Sequence, residues 1–150
     1  MTDYSMKFTL FTDGSALSNK KDAKAGWAFY FPKIKVLVSD KMIGTNNQAE
    51  LSAMKNGLKY FHQNLIDENI PDNTLYVFSD SEYTINSITG KYNGKINKEM
   101  INDCKKLIEQ INEKKQIKFI HVRAHTNKTD FVSTNNDIVD KTARKEAESI

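Results

Sequence analysis

Through the first third of the chain, apolar and polar positions follow the short period of β-structure. Phe8, Leu10 and Phe11 lead a strand predicted over residues 7–13. "GWAFYF" reads as a second strand over 26–31, stopped by Pro32, and "KIKVLVSDKMIG" alternates enough for a third. The connections are short, which predicts an antiparallel meander. The period then lengthens. Leu51, Met54, Leu58, Phe61 and Leu65 recur at helical spacing, so a long helix turns one stripe toward a core. Pro71 in "IPDN" breaks the chain, "TLYVFSD" predicts a strand, "SEYTINSIT" a short helix and "GKYNGK" a turn. Met100, Ile101, Cys104, Leu107, Ile108 and Ile111 fall near one face of the next helix, and "QIKFIHV" reads as a strand. "AHTNKTDFVSTNND" reads as a long polar loop. "DIVDKTARKEAESI" reads as a final helix with acids in its first turn and bases later, as the helix dipole favours.

Three meandering strands followed by strands that alternate with helices imply right-handed parallel crossovers. The expected fold class is α/β: a five-stranded mixed sheet, three strands antiparallel and two parallel, flanked by helices. No repeat, low-complexity stretch or linker divides it, so residues 1–150 read as a single domain.

Composition changes little in this picture. The chain is 150 residues long, 39% hydrophobic and 27% charged, as soluble globular proteins are. No stretch approaches the ~20 apolar residues of a membrane span, and no segment reads as a signal peptide. The lone Cys104 excludes an internal disulfide and fits a reducing intracellular compartment, as a small core residue of its helix. A net charge of +3, carried almost entirely by lysine, permits a polyanionic partner without announcing one.

The candidate chemistry lies in acids at the ends of apolar runs. Asp13 ends the first strand in "KFTLFTDGS", and Asp80 ends the fourth in "LYVFSDSEY". In open sheets of this kind sites gather beyond strand ends. Glu50, early in the first long helix, and Asp140, early in the last, can reach the same edge. Each acid also has a plainer explanation. Asp13 before Gly14 suits a turn, and Asp80 before Ser81 suits a helix cap. Glu50 stands three residues after Asn47, as in a capping box, and Asp137 and Asp140 both suit a helix N-terminus. Four acids at one edge repel unless cations lie among them, and all-oxygen ligation selects a hard ion such as Mg²⁺ or Mn²⁺.

Taken in order, "FTDGS", "TNNQAEL", "SDSEYTINSIT", "INKE", and a histidine followed at a distance by "NNDIVDKTA" resemble the successive motifs of ribonuclease H, type 1, over residues 7–147. The resemblance implies a ribonuclease H-like fold and an endoribonuclease that cleaves the RNA strand of RNA–DNA hybrids with two Mg²⁺ ions, for which Mn²⁺ can substitute. It carries Asp13, Glu50, Asp80 and Asp140 over as the metal-binding carboxylates. Asp140 is preferred to Asp137 because it stands three residues before the Ala of "DKTA". His125 matches the family's loop histidine, which assists proton transfer or product release. His62 and His121 match nothing and read as helix-surface and strand residues. Gly14, Ser15, Asn19, Asn46 and Asn47 are implied near the minor groove of the hybrid, with Glu82 accepting from a 2′-hydroxyl. Thr45 and Asn97 match residues that hold a DNA-strand phosphate in some relatives, and Tyr83 matches an aromatic of the DNA-binding channel.

Better-known relatives insert a basic, Trp-containing helix and loop where "TGKYNGKINKE" passes in a few residues. Lys91, Lys95 and Lys98 are partial substitutes. The first loop carries Lys20, Lys21 and Lys24 in place of the family's glycines, and Ile43 stands where some relatives place a phosphate-binding Arg. A monomer with salt-sensitive affinity, or one helped by an accessory subunit, is the expectation. Two other readings compete: a related metal nuclease acting on DNA junctions or structured RNA, and a non-catalytic nucleic-acid-binding module.

Overall fold

The structure, a computed structural model, describes residues 2–123 and 130–150. Its strands are β1 (Phe8–Ala16), β2 (Lys24–Phe31), β3 (Val36–Ile43), β4 (Thr74–Ser79) and β5 (Gln116–His121). Its helices are α1 (Asn46–Asn64), α2 (Glu82–Ile88), α3 (Lys98–Asn112) and α4 (Phe131–Glu148). The strands form one sheet in the order β3-β2-β1-β4-β5. β1, β2 and β3 pair antiparallel, whereas β4 runs parallel to β1 and β5 parallel to β4. The expected mixed sheet is therefore the observed one.

Both faces of the sheet are covered, which is why its central strands are buried along most of their length. On one face Phe8, Leu10, Phe29, Phe31, Leu75 and Val77 meet Leu51, Met54, Leu58 and Phe61 of α1 and Ile101, Cys104 and Ile111 of α3. On the other, Phe11, Ala28 and Phe78 meet Val139 and Ala143 of α4, with Phe131 packed against them. Successive residues of β1 thus serve opposite cores, as the pleat dictates.

The structure corrects three local readings. β1 does not end at Asp13: it continues to Ala16, because Gly14, Ser15 and Ala16 pair with Trp27, Gly26 and Ala25 of β2. Its parallel pairing with β4 stops at Thr12 and Ser79. Asp13 is therefore no turn residue; it sits in a strand at the point where one of its two neighbours gives out. The capping box of α1 is formed by Thr45 and Gln48, not by Asn47 and Glu50. The last helix begins at Phe131, inside the segment read as a loop. Ser133, Thr134, Asn135 and Asn136 are weak helix formers, which hides the helix from a reading of propensity. It forms because Asp130 accepts from the Ser133 N–H at 2.8 Å and Phe131 packs on Phe11, ring centroids 5.9 Å apart. Asp137 and Asp140 thus lie well inside α4, not at its N-terminus. Asp137 pairs with Lys141 at 2.8 Å.

Two glycines set how closely the helices approach the sheet. A β-carbon on Gly14 would stand 2.2 Å from the Ala49 carbonyl carbon of α1, and one on Gly26 would stand 2.2 Å from the Ala143 carbonyl oxygen of α4. The obstacle in each case is backbone, which has little room to yield. Gly26→Ala is expected to lower stability by about 2–3 kcal/mol through overpacking, read as a lower urea midpoint at unchanged m-value. A midpoint equal to wild type would show that α4 can lift off β2 at no cost.

Candidate active site

The close approach at Gly14 brings Glu50 of α1 against Asp13 of β1. The Gly14 N–H lies 2.9 Å from Asp13 Oδ1 and 3.0 Å from Glu50 Oε1, donating to both carboxylates. Asp80 follows directly on β4, the parallel neighbour of β1, so it emerges at the same edge. Ser81, not Asp80, caps α2, accepting from the Thr84 N–H at 3.1 Å. One carboxylate oxygen from each of Asp13, Glu50 and Asp80 lies within 4.8 Å of the others.

Asp13 and Glu50 are nearly sealed from solvent, at 2% and 3% exposure. Burial is the largest influence pushing the Asp13 carboxyl far above its ordinary range. The Glu50 charge and its acceptor oxygen add to this, followed by the charges of Asp80 and Asp140. Burial likewise pushes Glu50 up, to about 8, against the opposing hydrogen bonds from Asp13 and Gly14. Glu50 Oε2 is buried and has no hydrogen-bond donor among the described residues. A hard divalent cation fits this donor set: it would give the orphaned oxygen a partner and turn repulsion among the acids into attraction.

Asp140 stands outside the tight cluster. It is near enough to raise Asp13, yet its Oδ2 accepts from Arg144 at 2.7 Å one helical turn on, with an 18% exposed side chain. His125 lies outside the described residues. His121 ends β5, its Nε2 3.2 Å from the Asp80 carbonyl oxygen, and His62 is half-buried on α1.

The residues expected to touch substrate rim this edge. The Gly14 N–H is occupied by the acids, and Ser15 pairs with Gly26 in the sheet. Asn19, Asn47 and Glu82 are exposed. Asn46 is exposed at the start of α1, where its Oδ1 accepts from the Ala16 N–H at 3.2 Å. Thr45, Tyr83 and Asn97 are joined through a residue that sequence reasoning missed, Gln48. Its Nε2 donates to Asn97 Oδ1 at 3.3 Å, and Asn97 Nδ2 donates to Tyr83 Oη at 3.3 Å. The pattern Thr-x-x-Gln ahead of an apolar run was the available signal for Gln48. Residues 89–97 join α2 to α3 directly, with Lys91 and Lys95 exposed along the way.

Sheet order, helix placement and acid cluster together define a ribonuclease H-like fold. Two solved structures match it over nearly the whole chain. Ribonuclease H1 from the archaeon Halobacterium salinarum aligns with a TM-score of 0.65 at 18% identity, covering 95% of this chain and 98% of that one. The N-terminal ribonuclease H domain of a Mycobacterium tuberculosis protein aligns with a TM-score of 0.70 at 16% identity, covering 95% of each. In sequence, a ribonuclease H of Tropheryma whipplei is 33% identical over 128 residues, covering 77% of this chain and 71% of that protein. A ribonuclease H of Campylobacter curvus is 31% identical, covering 69% of this chain and 64% of that protein. The family model for RNase H matches residues 5–148. The chain belongs to the ribonuclease H family.

The raised carboxyls make metal-free stability fall as pH rises. Between the ordinary glutamate range and about 8, the folded state keeps a proton on Glu50 that the unfolded chain has lost. Stability is therefore full below that window and is lost progressively through it, by an amount on the order of kcal/mol. Melting from pH 5 to 9 in chelator should show a falling Tm. Mg²⁺ should restore Tm most at the alkaline end, and Asp13→Asn should raise the metal-free Tm at pH 8. A metal-free Tm that climbs across this range would contradict the electrostatics of the site.

Proposed function

We propose that this chain, as one catalytic domain, is an endoribonuclease. It hydrolyses the RNA strand of RNA–DNA hybrids with the aid of two divalent cations, leaving 5′-phosphate and 3′-hydroxyl ends. The observation that carries the reading is the buried convergence of Asp13, Glu50 and Asp80 at one sheet edge in a member of the ribonuclease H family. Asp13, Glu50, Asp80 and Asp140 would hold the pair of Mg²⁺ ions, or Mn²⁺ in their place, and when bound the metal would supply an activated water and positive charge for the departing 3′-oxygen.

The protein's part is to hold four acids ready. Asp13, on the central strand with Glu50 and Asp80 beside it, would be the central metal ligand. Burial and the Gly14 N–H fix the Asp13 and Glu50 carboxylates before substrate arrives, so little reorganisation is needed at the moment of reaction. Asp140, near enough for its charge to be felt at Asp13, would be the fourth ligand. His125 assists proton transfer or product release.

Choice of RNA falls to polar groups around the edge. Asn19, Asn46, Asn47 and Glu82, with Gly14 and Ser15, face the minor groove, where 2′-hydroxyls are displayed. Thr45, Asn97 and Tyr83 hold a phosphate of the DNA strand. With a direct link from α2 to α3 and mostly lysine for cations, binding rests on point charges and falls steeply with salt. The working form is a monomer, with an accessory subunit as the route to tighter binding.

A labelled RNA–DNA hybrid should be cut in Mg²⁺ and left intact in chelator, with duplex DNA and duplex RNA resistant. Asp13→Asn should lower the rate to about a thousandth or less while the circular-dichroism spectrum stays native. A fully active Asp13→Asn protein, or equal cleavage of all three duplexes, would defeat the assignment.

A further inference from the structure

Asn97 is the N-cap of α3, yet its side chain makes no capping hydrogen bond and its backbone is left-handed, at φ 61°. Asparagine is among the best capping residues and, after glycine, among those that most readily take a left-handed backbone, yet here its side chain caps nothing. A cap so spent on other partners points to function at those partners.

The hydrogen bonds of the cluster leave one consistent set of orientations. The Thr45 backbone N–H can only donate, so the group facing it at 2.9 Å is Gln48 Oε1. Gln48 Nε2 therefore faces Asn97, whose nearer atom must be the acceptor Oδ1. Asn97 Nδ2 is thereby turned to Tyr83 Oη. Thr45 Oγ1 accepts from the Gln48 N–H at 3.1 Å. With these bonds made, Asn97 Oδ1 is engaged inward. Among the described residues, one Asn97 N–H and the hydroxyl hydrogens of Thr45 and Tyr83 are left to give, a set of donors suited to an anion. Gly44 leaves room for the arrangement, since a β-carbon there would stand 2.5 Å from Gln48 Oε1.

We propose that Gln48 is a positioning residue for hybrid binding: it turns the Asn97 carboxamide so that donors, not the carbonyl oxygen, meet a DNA-strand phosphate. Without Gln48 the Asn97 amide is free to flip and present an oxygen to the phosphate. The inference rests on the reading of Thr45, Asn97 and Tyr83 as phosphate-holding groups.

The test combines a mutant cycle with hybrids carrying one neutral methylphosphonate at successive DNA positions. Gln48→Met should raise KM about fivefold with kcat changed less than twofold, and Asn97→Gly, which tolerates the left-handed backbone, should do the same. The double variant should bind no worse than either single one, because both remove one arrangement. In wild type one methylphosphonate position should raise KM, and Gln48→Met should respond to that position less than wild type does. Gln48→Glu keeps the acceptor for Thr45 but has no donor for Asn97, so it should melt like wild type and still lose affinity. Additive losses in the double variant, or methylphosphonate sensitivity in Gln48→Met as large as in wild type, would overturn the role of Gln48 alone. A wild-type enzyme that cleaves hybrid yet is indifferent to every neutral linkage would overturn the phosphate reading and this inference together.

Discussion

The governing constraint is the confinement of like charges. Asp13 and Glu50 are packed against each other almost out of reach of water, with Asp80 beside them and Asp140 near enough to be felt. Such an arrangement opposes folding, and raised carboxyl pKa values are its signature. It persists because the surrounding sheet and helices over-determine the positions of the strands that carry it. A cation would reverse the sign of the interaction, so the geometry that opposes folding is the one that suits the cluster to hold metal.

Backbone contacts enforce that geometry. Gly14 lets α1 come down on β1 and gives its N–H to both acids, while Gly26 lets α4 come down on β2. The parallel arrangement of β1 and β4 then places Asp13 and Asp80 at one edge, because both strands point the same way and their ladder ends at Thr12 and Ser79. The capping box at Thr45 has a double use: it finishes α1 and starts a polar chain that reaches Asn97 and Tyr83. Helix capping and the link between α1, α2 and α3 thus share the same few side chains.

The periodic elements were legible in the sequence because burial imposes its period on each of them. Leu51, Met54, Leu58 and Phe61 declare α1 as clearly as Leu10 and Phe11 declare β1. The departures occur where tertiary partners override local preference. Polar residues carry β1 past Asp13 because β2 lies alongside to pair with them. "FVSTNND" is helical because Phe131 has Phe11 to pack on. Gln48 escaped notice because its importance depends on Asn97, 49 residues further along the chain.

The sequence by itself determined the order of elements, the apolar faces and which acids stood at strand ends, since these follow from local periodicity. It also carried the motifs that resemble ribonuclease H. Only the tertiary structure decided that Asp13, Glu50 and Asp80 meet while Asp140 is held by Arg144. It alone showed that Glu50 keeps an oxygen with no donor among the described residues and that Gln48 ties two helix N-termini together. These are distances between residues remote in the chain, and they are set by how closely helices may approach a sheet, which no local pattern encodes.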